Sequence, residues 1–415
     1  MERKKRKNLL TAKKAESIAG GQIMYDVIIA GAGPAGATCA RECARQGLKT
    51  LLMDKDIFPR SKPCGGAVSG HALSLLDFPL PENIIEKECF GARVHYDGRI
   101  IEAHRQYRIA VFVSRDRFDA FLADKAVECN AQFLPGEKIV AVHAGRDEIT
   151  VDSETTSYQT RFLIGADGIH SRVARAIRQP LGKEEMALGL VSHVPADNEA
   201  MDSRQNRTID MYFGIAPQGY GWLFPHRGYH SLGIMGLASA IVDPKKVLSG
   251  FAHSLGLELS AVQGHAIPLG GLKRIVASGR ILLVGDAAGF ADPFHGEGIS
   301  YAILSGRLAA QAIIDSMQGK RSPASASARY CRESEQLIRK DLLVALRMAK
   351  MLDRHPHLFL RIFFDHSQAL DRYLDIVGGR TDYRNFQKWL LPRIPWYLLS
   401  GCFVKSTKRR QPRLP

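Results

Sequence analysis

Three glycines, Gly31, Gly33 and Gly36, stand in the spacing GxGxxG within YDVIIAGAGPAGATCARECARQGLKTLLMDK, and Asp54 lies near the end of that run. The first glycine permits a tight turn, the second lets backbone amides approach a pyrophosphate, and the third allows a helix to pack closely on a strand. Pro34 and Ala35 separate the last two glycines where the helix must begin, and the unpaired amides and positive dipole end of that helix face the phosphates. Asp54, roughly twenty residues beyond the glycines, is placed to accept hydrogen bonds from ribose hydroxyls. The chemistry is the binding of a dinucleotide, and because NAD and FAD share the pattern it does not choose between them.

Two more glycine-containing turns follow. GADG carries Gly165, Asp167 and Gly168, and GDAAGFADP carries Gly285 and Asp286. Taken alone, Asp286 is equally a candidate helix N-cap. Cys64 sits in KPCGGAVSG beside Pro63 and Gly65, in a loop too open for a packed core cysteine. Its thiol could touch a cofactor or substrate, donate a proton, or fill space against a ring. Tyr220 and Trp222 alternate with Gly219 and Gly221, so both aromatics project from one face of a strand, as core or as pocket wall. His295, beside Gly296 and Glu297, is a candidate acid or an anchor for its own loop. His226 and His230 have HxxxH spacing, but Gly228 between them marks a strand-and-turn region in which two ligands do not converge, and no metal is expected.

Hydrophobic periodicity supplies the elements that position these groups. From Met24 the pattern reads buried strand, glycine turn, amphipathic helix and a second strand ending at Asp54, a βαβ unit. A single strand is expected around Ala92 to Glu102, a helix around Arg115 to Cys129, a short strand at Lys138 to His143 and a hairpin-like stretch from Glu148 to Tyr158. RFLIGADGIHSRVAR repeats the strand, glycine turn and helix start. From about Leu188 to Ile267 polar and apolar residues alternate, which predicts antiparallel strands of a second domain. RILLVGDAAGFADPFHGEGISYAILSGRLAAQAII then returns to strand, glycine loop and helix, so the first domain is discontinuous. Pro323 to about Leu391 reads as helical, and IPWYLLSGCFVK is short, apolar and aromatic.

A chain of 415 residues suits two domains or three. Hydrophobic content of 45% and charged content of 24% argue against disorder and against an integral membrane protein, and no apolar run reaches bilayer length. The basic start MERKKRKNLLTAKK lacks the apolar segment of a secretory signal. Seven scattered cysteines without a CxxC pair suggest neither disulfides nor zinc, so a cytoplasmic location is expected. The formal charge of +15 is partly concentrated in ERKKRK and KSTKRRQPRLP. These read as solvated tails that anionic head groups would attract by about 1 kcal/mol per basic residue. Without an accompanying nucleic-acid motif, nucleic acid is not an expected partner.

The glycine turns resemble the three signatures of the flavoprotein hydroxylase-like superfamily, and KPCGGAVSG with YGWLFP (Tyr220 to Pro225) is similar to the PxCGGG-type and YxWxFP signatures of the geranylgeranyl reductase family. The likeness runs from about Met24 to Ala310 and loosely beyond. It implies tightly bound FAD and activity that saturates carbon–carbon double bonds of isoprenoid chains. It also implies that Asp286 contacts the ribityl chain and that Gly298 and Ile299 meet the flavin, with Asp167 and Gly285 in the flanking signatures. Arg115, in VSRDRFDAFL, sits where the family places an FAD-contacting arginine, with Val140 as a neighbour. Ala67 stands where many members have a third glycine after Cys64, Gly65 and Gly66, which alters the closest flavin approach.

The expected architecture is α/β: a discontinuous Rossmann-type FAD-binding domain (24–85, 105–180 and 275–320) with an inserted antiparallel-sheet substrate domain (86–104 and 181–274). A helical region (321–402) and basic tails (1–23 and 403–415) complete it. An isolated alkene is a poor hydride acceptor, so a dry apolar site that protonates or polarises it is required. Cys64, Tyr220 and Trp222 are the candidate catalytic residues. The electron donor is NAD(P)H or a ferredoxin, and the substrate is a prenyl lipid met at the inner membrane face. A monooxygenase or halogenase, a redox-neutral cyclase of isoprenoids, and a flavin-bound protein without catalysis are the alternatives.

Overall fold

The computed structural model describes residues 23–205, 207–319 and 322–400. The basic tails and Cys402 lie outside the described residues, apart from Ile23.

Met24–Ala30 runs through the middle of an eight-stranded sheet, flanked by parallel neighbours Thr50–Asp54 and Ser157–Gly165. Gln132–Pro135 extends the sheet on one side and Ile281–Leu283 on the other, both parallel. Ile28, Ile29, Leu51, Leu52, Leu163 and Leu282 are all fully buried, as strands covered on both faces by helices require. The register fixes the site. Ala30 pairs with both Gly165 and Met53, and Gly165 pairs with Leu283, so all three glycine turns and Asp54 leave one edge of the sheet side by side. That edge, at the carboxyl ends where strand order reverses, is where α/β sheets bind ligands. Ile281–Leu283 arrives more than a hundred residues after the strand it pairs with, as the discontinuous reading expects.

The second sheet has seven strands, ordered Val262–Pro268, Met186–Pro195, Tyr229–Leu237, Tyr220–Pro225, Thr208–Phe213, Gly91–Tyr96 and Arg99–His104. All neighbours are antiparallel except Thr208–Phe213 with Gly91–Tyr96. The single strand expected at Ala92 to Glu102 is instead a hairpin. Asp97 (φ 50°) and Gly98 (φ 71°) both take the left-handed conformation that a two-residue hairpin turn demands, and Asp-Gly is the pair that tolerates it. A small sheet of Ala67–Ser69, Ile85–Cys89 and Ala110–Val113 lies near the cysteine loop. Helices Lys340–Arg354, Pro356–Asp365, Ser367–Val377 and Tyr383–Leu390 share a core with the seven-stranded sheet, in one cluster that holds Trp222, Phe224, Phe359, Tyr373 and Phe386.

Candidate active site

The three glycines of the first turn are used differently. Gly31 has φ +100°, and a β-carbon there would stand 2.3 Å from the Ala166 carbonyl oxygen. At Gly36 a β-carbon would stand 1.8 Å from the Gly31 carbonyl oxygen, so helix Pro34–Arg45 can approach its own turn only without one. Gly33 is extended (φ −71°, ψ −176°), and a β-carbon would meet nothing nearer than Nη2 of Arg60, at 3.7 Å. Protein crowding therefore explains two glycines and leaves an open cradle over the third, at a helix N-terminus and beside a guanidinium. That is the arrangement a pyrophosphate requires. Asp54 is buried, and its carboxylate accepts from Ala32 N (2.7 Å) and Asp56 N (2.9 Å). Burial nevertheless raises its pKa above the ordinary value. Asp167 accepts from the Ser171 hydroxyl (2.5 Å) and the Arg172 amide (2.6 Å), which holds the second turn in shape.

Arg115 lies within helix Arg115–Glu128 and makes a bidentate pair with Asp119 one turn later, at 2.9 and 2.8 Å. Arg60 Nη1 joins the same carboxylate at 3.0 Å. Burial disfavours the Arg115 cation, but the Asp119 carboxylate and the nearby Cys64 outweigh it, and its pKa is raised. Asp286 is not a helix N-cap. It sits in the short turn Gly285–Ala287, while Gly298 caps the long helix Ile299–Met317. Its carboxylate faces Lys62 Nζ at 3.3 Å and His265 Nε2 at 3.8 Å. Burial pushes the Asp286 carboxyl up, yet Lys62 and His265 hold it well below the usual carboxylate range.

The cysteine loop packs against the aromatic strand. A β-carbon at Gly65 would lie 3.0 Å from the Phe224 ring and 3.4 Å from Trp222 Nε1. Tyr220, Trp222 and Phe224 form one stripe with ring centroids 6.1 and 5.9 Å apart; Phe224 follows from the same alternation that singles out the first two. The loop is held from behind by His226, whose Nε2 lies 3.0 Å from the Gly65 carbonyl oxygen and whose Nδ1 lies 2.7 Å from Glu86. His226 is thus a loop support.

A single deep, mostly apolar cavity joins these parts. Of the sequence-predicted residues, Gly33, Pro34, Ala35, Gly285, Asp286, Gly298 and Ile299 line it from the Rossmann side. Cys64, Gly65, Ala67, Arg115, Tyr220 and Trp222 line it from the other. Gly31, Gly36, Asp54 and Asp167 shape the turns without lining it, and Val140 lies away from it, 40% exposed on strand Ile139–Ala144. The wall is not built from the second domain alone. Phe359, Leu360, Phe363, Leu370, Tyr373 and Leu374 of the C-terminal helices close its far end. Arg60 and Lys62 escape sequence reading because lone basic residues carry no periodic signal, and His226 is noticed there only as half of an HxxxH pair. Lys62 and Arg60 do flank the cysteine turn, and that proximity was the available clue.

The chain matches the FAD binding domain family over residues 24–239. It is 32% identical over 300 residues to geranylgeranyl diphosphate reductase of Rhodobacter capsulatus, covering 69% of this chain and 74% of that enzyme. It is 30% identical over 317 residues to digeranylgeranylglycerophospholipid reductase of Thermoplasma acidophilum, covering 69% and 77%. Its fold is similar to that of a geranylgeranyl bacteriochlorophyll reductase-like protein of Thermoplasma acidophilum, with a TM-score of 0.74, 24% identity, and 92% of this chain and all of that chain covered. With the glycine cradle, the cysteine loop and the aromatic strand in their places around one cavity, the chain belongs to the geranylgeranyl reductase family of FAD-dependent oxidoreductases.

Proposed function

We propose that the protein saturates carbon–carbon double bonds of a geranylgeranyl or related polyprenyl group on a lipid or isoprenoid substrate. The observation that carries this reading is the cavity itself. It runs from the open cradle at Gly33 past an aromatic stripe to a wall of aliphatic and aromatic side chains. Such a lining suits a hydrocarbon chain and excludes water from the reacting carbons. The similarity to reductases of prenyl substrates supports the same class.

FAD, when bound, supplies hydride. In this reading Gly33, Pro34, Ala35 and Arg60 hold the pyrophosphate, and Asp54, which fixes Ala32, holds the adenosine side. Asp286, kept anionic by Lys62, would take the ribityl hydroxyls, and Gly298 and Ile299 at the N-terminus of helix Ile299–Met317 would hold the ring. Arg115 and the loop of Cys64, Gly65 and Ala67 would complete the flavin site, and Tyr220 and Trp222 would direct the prenyl chain. The donor that reduces the flavin is NAD(P)H or a ferredoxin. The enzyme works from the cytoplasmic side as a peripheral membrane protein; among the described residues no helix is long and apolar enough to cross a bilayer.

Purified protein reduced with dithionite without oxygen should be reoxidised by a geranylgeranyl lipid, with a mass gain of two hydrogens per saturated bond. Oxygen uptake coupled to substrate modification, with no alkene reduction, would sink the reductase reading in favour of a monooxygenase. Flotation with acidic vesicles should be lost when residues 1–22 and 401–415 are deleted; unchanged flotation would remove the tails from the membrane proposal.

A further inference from the structure

The loop after Asp286 sets a buried acid and an imidazole into the cavity wall. Asp292 is fully buried, and its Oδ1 accepts from the amides of Phe294 (2.7 Å) and His295 (3.1 Å). Its Oδ2 has no hydrogen-bond partner among the described residues, but Nδ1 of His295 stands 3.1 Å from it. The same Nδ1 lies 2.9 Å from the Tyr383 hydroxyl. A carboxylate withdrawn from water without a paired cation is strongly disfavoured, so this site selects imidazolium over imidazole. With Nδ1 committed, Nε2 is the ring nitrogen left for the cavity that His295 lines.

The surroundings keep the charge in place. Tyr220 donates its hydroxyl to the His295 carbonyl at 2.5 Å, which fixes the backbone. Tyr373 stands edge-on to the imidazole, 6.1 Å between centroids at 90°. Burial raises the pKa of both phenols, so neither competes as an acid. Glu297 adds a second negative charge near the ring, and burial lowers the pKa of the neighbouring His71. Asp341 is a further acid, near enough to act on Tyr301 and to be raised by Asp292. Burial alone would lower the His295 pKa, but Asp292 and Glu297 raise it above the ordinary histidine range.

We propose that His295, held by Asp292 and Tyr383, is the acid that protonates the substrate alkene. This rests on the reductase reading. His295 gives its Nε2 proton to one alkene carbon, where the π pair forms the new C–H bond. The other carbon takes hydride from the reduced flavin, which is thereby oxidised by two electrons. The double bond becomes a saturated CH–CH unit, His295 is left as neutral imidazole, and a proton from water restores it before the next turnover.

The test uses the flavin-loaded protein as wild type, H295N and D292N. The first readout is NMR of ring-labelled histidine, with the His295 signal identified by its loss in H295N. It should titrate above the ordinary histidine range in wild type and fall back in D292N. The second is anaerobic single-turnover reoxidation by a geranylgeranyl lipid. H295N should slow it by about 100-fold or more, while dithionite reduction and flavin affinity stay as in wild type. D292N keeps the imidazole and should shift the alkaline limb of the pH profile to lower pH, an effect that mere loop support would not produce. If H295N loses flavin, this limb decides. A neutral His295 at pH 7, turnover in H295N within a few-fold of wild type, or an unmoved limb in D292N would overturn the assignment. Wild-type protein that binds flavin yet reduces no prenyl double bond would instead overturn the reductase reading on which it rests.

Discussion

Gly33 and Gly36 belong to one signature, but the structure assigns them opposite consequences on substitution by alanine. At Gly36 the new β-carbon would stand 1.8 Å from the Gly31 carbonyl oxygen, inside a turn already pressed on Ala166. Helix and turn would have to separate by more than an ångström, and overpacking of that kind costs about 3 kcal/mol. At Gly33 the nearest atom is a guanidinium nitrogen at 3.7 Å and the backbone is extended, so the folded chain accommodates the methyl group. Losing a good N-cap residue and gaining a stiffer unfolded chain offset each other to within about 1 kcal/mol. The methyl group then occupies the space in which a pyrophosphate must approach the amides. Weakening one hydrogen bond to a charged acceptor costs about 2 kcal/mol, close to 30-fold in Kd. Fluorescence titration of the apoprotein with FAD, paired with thermal melts, separates the two. Gly33→Ala should melt within about 3 °C of wild type and bind FAD roughly 30-fold more weakly, whereas Gly36→Ala should lose several degrees before any ligand is added. Wild-type FAD affinity in Gly33→Ala would refute the placement of the pyrophosphate, and a wild-type melt for Gly36→Ala would refute the argument from close approach.

Other substitutions read other parts of the site. Asp341 is raised to about 7 by burial, reinforced by Asp382 and Asp292. A folded pKa above the unfolded value means that the cost is absent below about pH 4 and complete above pH 7. Asp341→Asn should therefore melt higher than wild type at pH 8.5, by on the order of 4 kcal/mol at most, with the gain shrinking as the pH falls towards 5. Asp286 has the opposite sign, because its lowered pKa stabilises the fold above the ordinary carboxylate range and loses that contribution in acid. Lys62→Met should destabilise the apoprotein by about 2 kcal/mol at pH 7, with the gap closing below pH 4 in parallel urea titrations. His226→Ala removes the contact to the Gly65 carbonyl oxygen and one partner of Glu86, which keeps Arg117. Iodoacetamide should then alkylate Cys64 faster, with His226→Gln intermediate; an unchanged rate would show that the loop holds itself.

What sequence could reveal here depended on whether a constraint was local. The turn at Gly31 is legible because strand, glycine spacing and helix lie in one uninterrupted stretch, each enforcing the next. The convergence of Gly31, Asp167 and Gly285 follows from register between strands distant in the chain, and it could be anticipated only through resemblance. The hairpin at Asp97 and Gly98 was legible in principle, since Asp-Gly between alternating runs is a turn signal, but the expected single strand passed over it. The far wall of the cavity was not legible. Leu370, Tyr373 and Leu374 lie on an amphipathic helix whose apolar face would look the same against any core. Periodicity says that this face is buried and not what it is buried against. The same limit applied to His295, read from sequence as either an acid or an anchor. Only the fold brings Tyr383, 88 residues away in sequence, to its Nδ1, and so leaves the other nitrogen to the cavity. The two roles are then not alternatives: the anchoring contacts on one edge of the ring are what hold the proton on the other.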